Sequence, residues 1–323
     1  MNQLVRRLYL EIVHIKPKMK VSASTIAFWR GPGQLGGFQN TEAYSRVFQD
    51  WDGWLRDGFL DLNVPMIYKP VPSAENAAQF TSWTQFAAEN QYGRQTAIGL
   101  GVYLNVFEDS LAQLAESRLP ATSNGARAVG QSLYSYATTN KVTAGVPHRP
   151  HAEFFRALSE DGAYTAEAPY DETAGIPVMP WKKHPQRGSI LAQVIDTDGA
   201  PADGASVTIK QIIGWPGQAP IAQTADGNGY SGATELPLGL YQLIITTPEG
   251  TFRTLIPRLV LPGFVNRFTV RLGWRPRGPM LRTSAASGAR LFSAQIGDGD
   301  VSPLELWRDR EPIAEDILAV PQP

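Results

Sequence analysis

The chain has 323 residues, of which 43% are hydrophobic and 18% charged, a composition typical of a globular protein with room for two domains. A formal net charge of −1 provides no electrostatic basis for binding nucleic acid or an anionic membrane surface. Cysteine is absent, which excludes disulfides, thiol catalysis and cysteine-ligated metal. The sequence also contains no apolar run of the roughly 18 residues that cross a bilayer.

The N-terminus is predicted to be a helix rather than a leader peptide. An apolar stripe at helical spacing is formed by Leu4, Leu8, Ile12 and Ile15. Charged residues interrupt this segment, so it lacks the continuous apolar core of a signal peptide. Any leader is therefore expected upstream of Met1.

Four strand-then-helix units follow this helix, up to about Leu158. The strands are predicted from mostly apolar runs at Val21–Ser24, Phe59–Tyr68, Thr96–Tyr103 and Ala126–Tyr134. Apolar runs without alternation are expected when both faces of a parallel sheet are covered. Their regular spacing is typical of βα units, so this part of the chain is predicted to be parallel α/β.

The helix between the first two strands has its own start and stop signals. Thr41 is positioned to cap it, and Gly58 to end it. The predicted buried face consists of Tyr44, Val47, Phe48, Trp51 and Leu55.

From Gly188 the sequence changes to short β-rich runs separated by turn signals. Seven strands at this spacing predict a β-sandwich. They are Ser189–Ile195, Ser206–Ile212, Ile221–Thr224, Tyr230–Leu236, Leu240–Thr246, Thr251–Val260 and Phe264–Leu272.

The chain is therefore divided into four parts. Residues 1–162 are predicted to form a partial barrel, residues 163–187 a proline-rich linker and residues 188–274 the sandwich. Residues 275–323 are predicted to be an extended or disordered tail, with a docking point at the apolar cluster Leu304–Trp307.

Several segments of the first part resemble the C-terminal half of the glycosyl-hydrolase-like family 10 barrels. They are Tyr44–Asp61, Val64–Tyr68, Ile98–Leu104, the Leu111–Leu114 helix and Gly130–Ala137 with its Tyr-Ser-Tyr, and the resemblance covers about residues 1–185. The family consists of bacterial envelope proteins that include a peptidoglycan glycosidase acting on denuded glycan strands. The resemblance implies the C-terminal half of a (β/α)8 TIM barrel, with about four βα units.

The segment Gly188–Leu272 resembles a carboxypeptidase regulatory-like (transthyretin-type) sandwich with Ig-like architecture. The resemblance is carried by Asp198–Pro201, Gly204–Thr208, Asp226–Tyr230 and Leu236–Tyr241. This pattern is common in bacterial surface proteins and implies a spacer or adhesion module rather than an activity. The predicted fold class of the whole chain is thus α/β plus all-β.

Members of the glycosyl-hydrolase-like family also have an N-terminal half. It contains an opening strand and, at the end of the fourth strand, a motif rich in Asp, Tyr and Arg, and this sequence contains neither. The missing units are expected either upstream or on an assembly partner, unless the chain is a truncated product. Four strands should be unable to close a barrel on their own.

Glycoside cleavage normally needs two carboxyl groups, one that donates a proton and one that stays ionised. On a barrel they lie at or just beyond the C-terminal ends of strands. Glu108 and Asp109 follow the Thr96–Tyr103 strand and are the catalytic candidates, with the main acids expected upstream of this chain. The alternative is that their negative charges only stabilise the N-terminus of the next helix through its dipole, with Asn105 as the cap of that helix.

Aromatic residues lie at or just past the ends of all four predicted strands, namely Trp29, Tyr68, Tyr103 and Tyr136. We predict that they converge on one mouth and stack on sugar rings, although they could simply fill the top layer of the barrel. Asn105 and Lys69 complete the predicted substrate-binding set. Lys69 would hydrogen-bond a carboxyl or N-acetyl group, unless it is a free surface lysine.

Three further carboxylates are assigned structural roles. Asp50 and Asp52 are predicted to lie on a solvated helix face or in a salt bridge. Asp61 enters its strand near the N-terminal end, away from the expected chemistry.

No metal or cofactor is predicted. His148 and His151 are three residues apart without an acidic helix motif beside them. Gly99-Leu-Gly101 lacks the third glycine of a dinucleotide fingerprint and is attributed to close packing in a strand. Asp226-Gly-Asn-Gly229 lacks the later glutamate of a calcium loop and is predicted to be a hairpin turn.

The leading hypothesis is a glycoside hydrolase-like protein of the cell envelope, or a secreted one, that acts on or binds an amino-sugar glycan such as peptidoglycan. As an enzyme it would hydrolyse O-glycosyl bonds once a full barrel is present. The alternative is a non-catalytic cell-surface structural or glycan-binding protein. Its exposed barrel edges would then pair with a second copy or with the missing N-terminal half. Neither hypothesis includes a nucleic-acid partner or a membrane span.

Overall fold

The computed structural model describes residues 1–71, 73–141, 149–162 and 164–273, together with the backbone of the strand Asp316–Pro321. The chain divides into two compact units, Met1–Pro185 and Gln186–Pro323, and the boundary falls within the predicted linker. The predicted docking cluster Leu304–Trp307 lies outside the described residues.

The first unit contains a parallel sheet with the strand order β1-β2-β3-β4. The strands are β1 Ser22–Ile26, β2 Leu62–Met66, β3 Gln95–Gly101 and β4 Gly130–Tyr134. The predicted parallel α/β arrangement is confirmed. Four consecutive strands in sequential order, with helices between them, fit a partial barrel. Within the described residues, β1 and β4 each have one edge without a partner strand.

Helices precede, connect and follow these strands. The longer ones are α1 Asn2–Ile15, α5 Ala74–Glu89, α6 Phe107–Ser117 and α7 His151–Ser159. The single-turn and two-turn ones are α2 Pro32–Leu35, α3 Glu42–Ser45, α4 Trp51–Arg56 and α8 Pro180–Lys183. Two 3₁₀ turns, Phe38–Asn40 and Val102–Leu104, complete the connections.

Aromatic side chains form the centre of the core of this unit. Trp51 and Trp83 are fully buried, with ring centroids 6.0 Å apart. Phe38 meets Trp51 edge-on at 4.7 Å and stacks on Phe86 at 5.5 Å. The indole N–H of Trp51 donates to the carbonyl of Ile26 at the end of β1, so the same cluster fixes the helices to the C-terminal end of that strand.

The helix predicted to follow Thr41 is instead two short helices, α3 and α4. Phe48 between them has a φ of 55°, which a continuous right-handed helix does not accommodate. The predicted buried face is therefore wrong in its first half. Tyr44 and Phe48 are exposed, whereas Trp51 and Leu55 are buried. Thr41 precedes α3 without a capping bond from its side chain.

The apolar stripe of α1 lies on the surface. Leu4, Leu8 and Ile15 are 53%, 51% and 72% exposed. The opposite side of the helix supplies Tyr9 and Leu10, which are buried. The helix thus packs through the side that carries Tyr9 and Leu10, and the side that carries Leu4, Leu8 and Ile15 is exposed.

Asp61 anchors the N-terminal end of the sheet from a fully buried position. One carboxylate oxygen accepts from the Tyr9 hydroxyl at 3.0 Å and from the Trp181 indole N–H at 2.8 Å. The other accepts from the Val21 amide at 2.8 Å and forms an ion pair with Lys182. The structural role predicted for Asp61 is confirmed. Because Trp181 and Lys182 belong to α8, this part of the predicted linker packs into the first unit.

The second unit is all-β and has its own apolar core. Its strands are β5 Gly188–Ile195, β6 Ser206–Gly214, β7 Ile221–Thr224, β8 Tyr230–Leu236, β9 Gly239–Thr247, β10 Gly250–Thr254, β11 Arg258–Val260, β12 Val265–Leu272 and β13 Asp316–Pro321. The sheet order is β7-β6-β9-β10-β13-β12-β5-β8, and β11 also pairs with β9.

Two features of this unit depart from the predicted seven strands. The single strand expected over Thr251–Val260 is split into β10 and β11, and Pro257 between them lacks the amide that a continued ladder needs. Within the region predicted to be a tail, β13 pairs with both β10 and β12.

The turn at Asp226 does not form the predicted hairpin. The strands on either side of it, β7 and β8, pair with β6 and β5 respectively. The Asp226 carboxylate accepts from the amides of Asn228 and Tyr230, both at 2.9 Å. These bonds shape a tight turn that joins strands with different partners.

Candidate functional site

Three tyrosines converge at the C-terminal ends of β2, β3 and β4. Tyr68 stacks on Tyr134 with a centroid distance of 5.5 Å, and Tyr103 meets both edge-on at 6.2 and 5.7 Å. We call these residues the tyrosine cluster. Tyr134 is 55% exposed, so the cluster reaches the surface. Burial raises the pKa of Tyr68, with smaller contributions from Tyr103 and Tyr134, so its hydroxyl stays protonated at neutral pH.

The predicted aromatic set of four differs from this cluster in two members, because neither Trp29 nor Tyr136 belongs to it. Tyr68 and Tyr103 meet as predicted, but the third member is Tyr134 rather than Tyr136. Tyr136 is 80% exposed and packs against Phe155 at 5.8 Å. The sequence carried a signal for Tyr134, because it was the last residue of the predicted fourth strand.

Glycines in β3 allow close packing, Gly101 against Tyr68 and Gly99 against the backbone of β2. A Cβ atom on Gly101 would lie 2.9 Å from the Cβ of Tyr68, and one on Gly99 would lie 2.6 Å from the carbonyl oxygen of Pro65. Both distances are shorter than normal contacts. The close packing predicted for Gly99 and Gly101 is confirmed.

We expect Gly101→Ala to lower the free energy of unfolding by about 1–3 kcal/mol, since the added methyl group must displace the Tyr68 side chain. Urea unfolding followed by tryptophan fluorescence measures the change. The matched control is Gly130→Ala in the adjacent β4, where an added Cβ meets nothing within 4 Å. Equal losses for the two variants would contradict the packing argument.

Lys69 lies beside the cluster, and its side chain is buried. The residue is 6% exposed, and its ammonium donates to the Trp29 carbonyl at 3.0 Å. Burial lowers the pKa of Lys69 to about 8. The expectation of a free surface lysine is therefore wrong. Its predicted bond to a ligand stays a prediction.

Trp29 joins the site through its backbone. Its carbonyl oxygen accepts from Lys69 and, at 3.1 Å, from the indole N–H of Trp83. The residue adopts a φ of 52°, an uncommon backbone conformation for a bulky residue. These two bonds hold the loop after β1 and leave the Trp29 side chain exposed. Its predicted stacking on sugar stays a prediction.

Asn105 connects the loops that follow β2 and β3. Its amide group donates to the Lys69 carbonyl at 3.1 Å and accepts from the Val71 amide at 2.7 Å. Gln113 donates to the same Lys69 carbonyl at 2.9 Å. The predicted capping role of Asn105 is wrong, because Val106 precedes α6 without a side-chain cap. Asn105 is almost fully buried and supports the loops below the cluster.

Glu108 and Asp109 occupy the first turn of α6, where the helix dipole favours negative charge. Glu108 also forms a 2.7 Å ion pair with Arg149. Burial acts to raise the pKa of Glu108, but its own backbone amide and Arg149 outweigh that effect, and the net shift is downward. An ionised carboxylate can act as a base or stabilise a cation, but a proton donor needs a raised pKa. The catalytic role of Glu108 and Asp109 stays a prediction.

The carboxylates of α4 have structural partners. Asp50 caps the helix by accepting from the Gly53 amide at 3.1 Å. Asp52 forms the predicted salt bridge, with Arg56 at 3.5 Å, and also accepts from the Tyr92 hydroxyl at 2.9 Å. Burial raises the pKa of Asp52.

Across the described ranges, no three His, Asp or Glu side chains are grouped closely enough to hold a metal ion. His151 begins α7, and its predicted neighbour His148 lies outside the described residues. None of the described helices is both long and apolar enough to cross a membrane.

Comparisons with known proteins give one family and several distant structures. Residues 1–110 match the family model described as Glycosyl hydrolase-like 10. No curated protein matches the chain significantly. Two solved structures with detectable similarity are the major pilin subunit BcpA of Bacillus cereus and a double mutant of the endo-β-1,4-mannanase of Cellulomonas fimi.

Both structural similarities are weak. The pilin is 19% identical, with 27% of this chain and 30% of the pilin covered and a TM-score of 0.19. The mannanase is 18% identical, with 81% of this chain and 58% of the mannanase covered and a TM-score of 0.35. The chain thus spans less than two thirds of either structure, and at these TM-scores neither supports an argument about activity. The predicted resemblance to the glycosyl-hydrolase-like family 10 is confirmed by the family model over residues 1–110.

Proposed function

We propose that this protein is a glycoside hydrolase-like protein of the cell envelope that binds an amino-sugar glycan such as peptidoglycan. The observation that carries the proposal is the tyrosine cluster, in a chain whose residues 1–110 match a glycosyl hydrolase-like family. Ligands of parallel α/β folds bind at the C-terminal ends of the strands, which is where the cluster lies.

The chemistry of the cluster suits a sugar ligand. Aromatic planes stack on the C–H faces of pyranose rings, and protonated phenols can hydrogen-bond to N-acetyl and hydroxyl groups. Tyr134 offers an exposed ring and Tyr68 a protonated hydroxyl. The buried network of Lys69, Asn105 and Gln113 holds the loop beneath them, which reduces the ordering cost of binding.

A binding experiment tests this proposal. We expect the protein to bind denuded peptidoglycan strands, and Tyr68→Ala and Tyr134→Ala each to weaken binding about 5- to 30-fold, or 1–2 kcal/mol. Tyr136→Ala is the matched control and should stay within about twofold. Tyr68→Phe separates stacking from hydrogen bonding, because it keeps the ring and removes only the hydroxyl. Unchanged affinity in both alanine variants would exclude the tyrosine cluster as the binding site.

Cleavage requires its own assay. Release of reducing ends from the same glycan would show hydrolysis, and Glu108→Gln would test Glu108 as the ionised carboxylate. Binding without release would support a hydrolase-like binding protein. If Glu108→Gln and Asp109→Asn both release reducing ends as fast as wild type, these two residues are no longer catalytic candidates.

The envelope location and the role of the second unit belong to the same proposal. The all-β unit would act as the spacer or adhesion module implied by its transthyretin-type resemblance. Fractionation of cells that produce the protein tests the location. Recovery of the protein only from the cytosolic fraction would contradict it.

A second candidate function is an assembly module, favoured by the exposed stripe on α1. Leu4 and Leu8 are about half exposed on the same unit as the open edge of β1. Uncovered apolar residues and unpaired strand edges both favour association.

If the stripe mediates self-association, Leu8→Glu should shift the protein toward monomer in light scattering. Glu11→Gln on the same helix is the control. Identical masses for wild type and Leu8→Glu would rule out the stripe as a self-association surface.

A further inference from the structure

The exposed apolar side chains of the second unit collect at one of its ends. At this end β6, β8 and β11 finish, and β5, β9 and β12 begin. Among residues 186–273, every exposed large hydrophobic side chain lies at positions 212–215, at position 238 or at positions 255–264. We call this region the apolar end and define it by six of these side chains, Ile213, Trp215, Leu238, Leu259, Leu261 and Phe264.

Strand pairing brings these side chains next to one another. Gly239 at the start of β9 pairs with Gly214 on one side and with Val260 on the other. The residues that flank these three in the sequence, Trp215 and Leu238 among them, are therefore neighbours in space. The six side chains thus belong to one continuous surface rather than to scattered positions.

A row of aliphatic side chains extends this surface across three strands. Leu240 of β9 is paired with Ile213 of β6 and with Leu259 of β11. Directly opposed residues of antiparallel strands point to the same face of a sheet. Ile213 and Leu259 are 65% and 49% exposed, so this face is apolar and open to solvent.

The connections at the apolar end form turns without any charged residue. The connection after β6 reads Trp215-Pro-Gly-Gln-Ala-Pro220, and the one before β12 reads Leu261-Pro-Gly-Phe264. The tips of exposed turns are usually polar. Here Trp215 is 88% exposed, and Leu238 and Phe264 are about half exposed. Apolar tips on several adjacent turns form the kind of patch that marks an interaction surface.

The carboxylates of this unit collect at its opposite end. Glu235, in β8, lies near the apolar end together with Arg187 and Arg258. The other five acidic residues among positions 186–273 lie in the connections at the opposite end, and they are Asp196, Asp198, Asp203, Asp226 and Glu249. An anionic surface repels that acidic end, so the apolar end, with two cations for one carboxylate, would turn toward it.

We propose that the apolar end docks on an anionic lipid surface, with Trp215 and Phe264 at the boundary between headgroups and acyl chains. Tryptophan suits this boundary because its ring is apolar and its indole N–H is polar. Burial of the turn tips supplies the binding free energy, and Arg187 adds attraction to lipid phosphates. The surface belongs to the second unit, so the proposal is independent of glycan binding at the tyrosine cluster.

Co-sedimentation of the full-length protein with vesicles tests this proposal. We expect wild type to pellet with vesicles of phosphatidylcholine and phosphatidylglycerol, and more weakly with vesicles of phosphatidylcholine alone. Trp215→Ser and Leu238→Ser should each weaken partitioning about tenfold. Both side chains are exposed, so neither change should alter urea unfolding. Ile176→Ser replaces an 89% exposed side chain of the first unit and should stay within about twofold of wild type.

Fluorescence quenching locates the contact. Lipids with brominated acyl chains quench tryptophans that reach the bilayer, and this chain has eight tryptophans. Trp215→Phe keeps an aromatic ring and should still bind, but it should lose most of the quenching seen in wild type. Equal quenching in Trp215→Phe and wild type would overturn the proposal, since another tryptophan would then contact the lipid.

The binding assay has three contrary outcomes. They are no sedimentation of wild type with either kind of vesicle, equal sedimentation with both kinds, and equal partitioning of wild type and Trp215→Ser. Each would overturn the proposal. A dimer in light scattering that Trp215→Ser dissociates, in a protein that does not bind vesicles, would also overturn it and would assign the apolar end to a second copy of the chain.

Discussion

Replacing Asp61 with asparagine should lower the free energy of unfolding of the first unit by about 3–5 kcal/mol, the usual cost of breaking a buried ion pair. Asp61 is fully buried and receives four hydrogen-bond donors, two on each carboxylate oxygen. In asparagine an NH2 group replaces one of the two carboxylate oxygens. The two donors that bonded to that oxygen would then face another donor. The ammonium of Lys182 would also lose its counter-charge.

The loss should extend beyond one ion pair, because Asp61 holds three segments together. Tyr9 comes from α1, Val21 precedes β1, and Trp181 and Lys182 come from α8. Arg94 stacks over the Trp181 ring with its guanidinium carbon 4.7 Å from the centroid. We therefore expect Asp61→Asn to release α8 as well as to lower stability, and limited proteolysis near residue 180 should detect this.

Urea unfolding followed by the fluorescence of the buried tryptophans measures the stability change. Asp171→Asn replaces an exposed aspartate of the same unit and should stay within about 0.5 kcal/mol of wild type. A double-mutant cycle with Lys182→Met isolates the ion pair. Additive losses from Asp61→Asn and Lys182→Met would show that the two side chains do not stabilise each other.

The sequence predicted the strands better than the helices, for a local reason. The strands were predicted from mostly apolar runs, and the ends of β1 to β4 each lie within about four residues of the predicted ends. The helix after Thr41 has an equally clear apolar period but is broken at Phe48 by a left-handed residue. The position of that break depends on how Trp51 packs against β1 and Trp83, which local spacing does not encode.

The site was predictable as a region but not in its details. Parallel strands place their C-terminal ends at one edge, so Tyr68 and Tyr103 could be assigned to the same mouth. The choice between Tyr134 and Tyr136 depends on where β4 ends. The pairing of β13 was not predictable, because its partners β10 and β12 lie more than 40 residues away in the sequence.

Replacing Lys69 with methionine should stabilise the protein, in contrast to Asp61→Asn. We expect it to raise the free energy of unfolding at pH 7 by about 2 kcal/mol. Burial lowers the pKa of Lys69 from 10.5 to about 8, and a pKa unit corresponds to about 1.4 kcal/mol. Loss of the bond to the Trp29 carbonyl offsets about 1 kcal/mol of the gain. Methionine has a similar length and suits a buried position.

The sign of the pH dependence follows from proton binding. Between about pH 8 and 10.5 the unfolded chain keeps its proton on Lys69 and the folded chain does not, so wild-type stability rises with pH in that window. The penalty is fully present below pH 8. The advantage of Lys69→Met should therefore shrink between pH 7 and pH 10. Lys18→Met, at an exposed lysine, should show no such trend. If the stability gained by Lys69→Met were instead the same at every pH, the lowered pKa of the buried Lys69 would be contradicted.

A residue that lowers stability at neutral pH is expected to be retained when the site needs it. Lys69 and Trp83 together fix the Trp29 carbonyl and thereby the loop after β1, beside the tyrosine cluster. Lys69→Met should therefore weaken glycan binding while it stabilises the fold, and Lys69→Arg should recover part of the binding by restoring a donor. If Lys69→Met instead bound the glycan as tightly as wild type, the ammonium would have no part in the site.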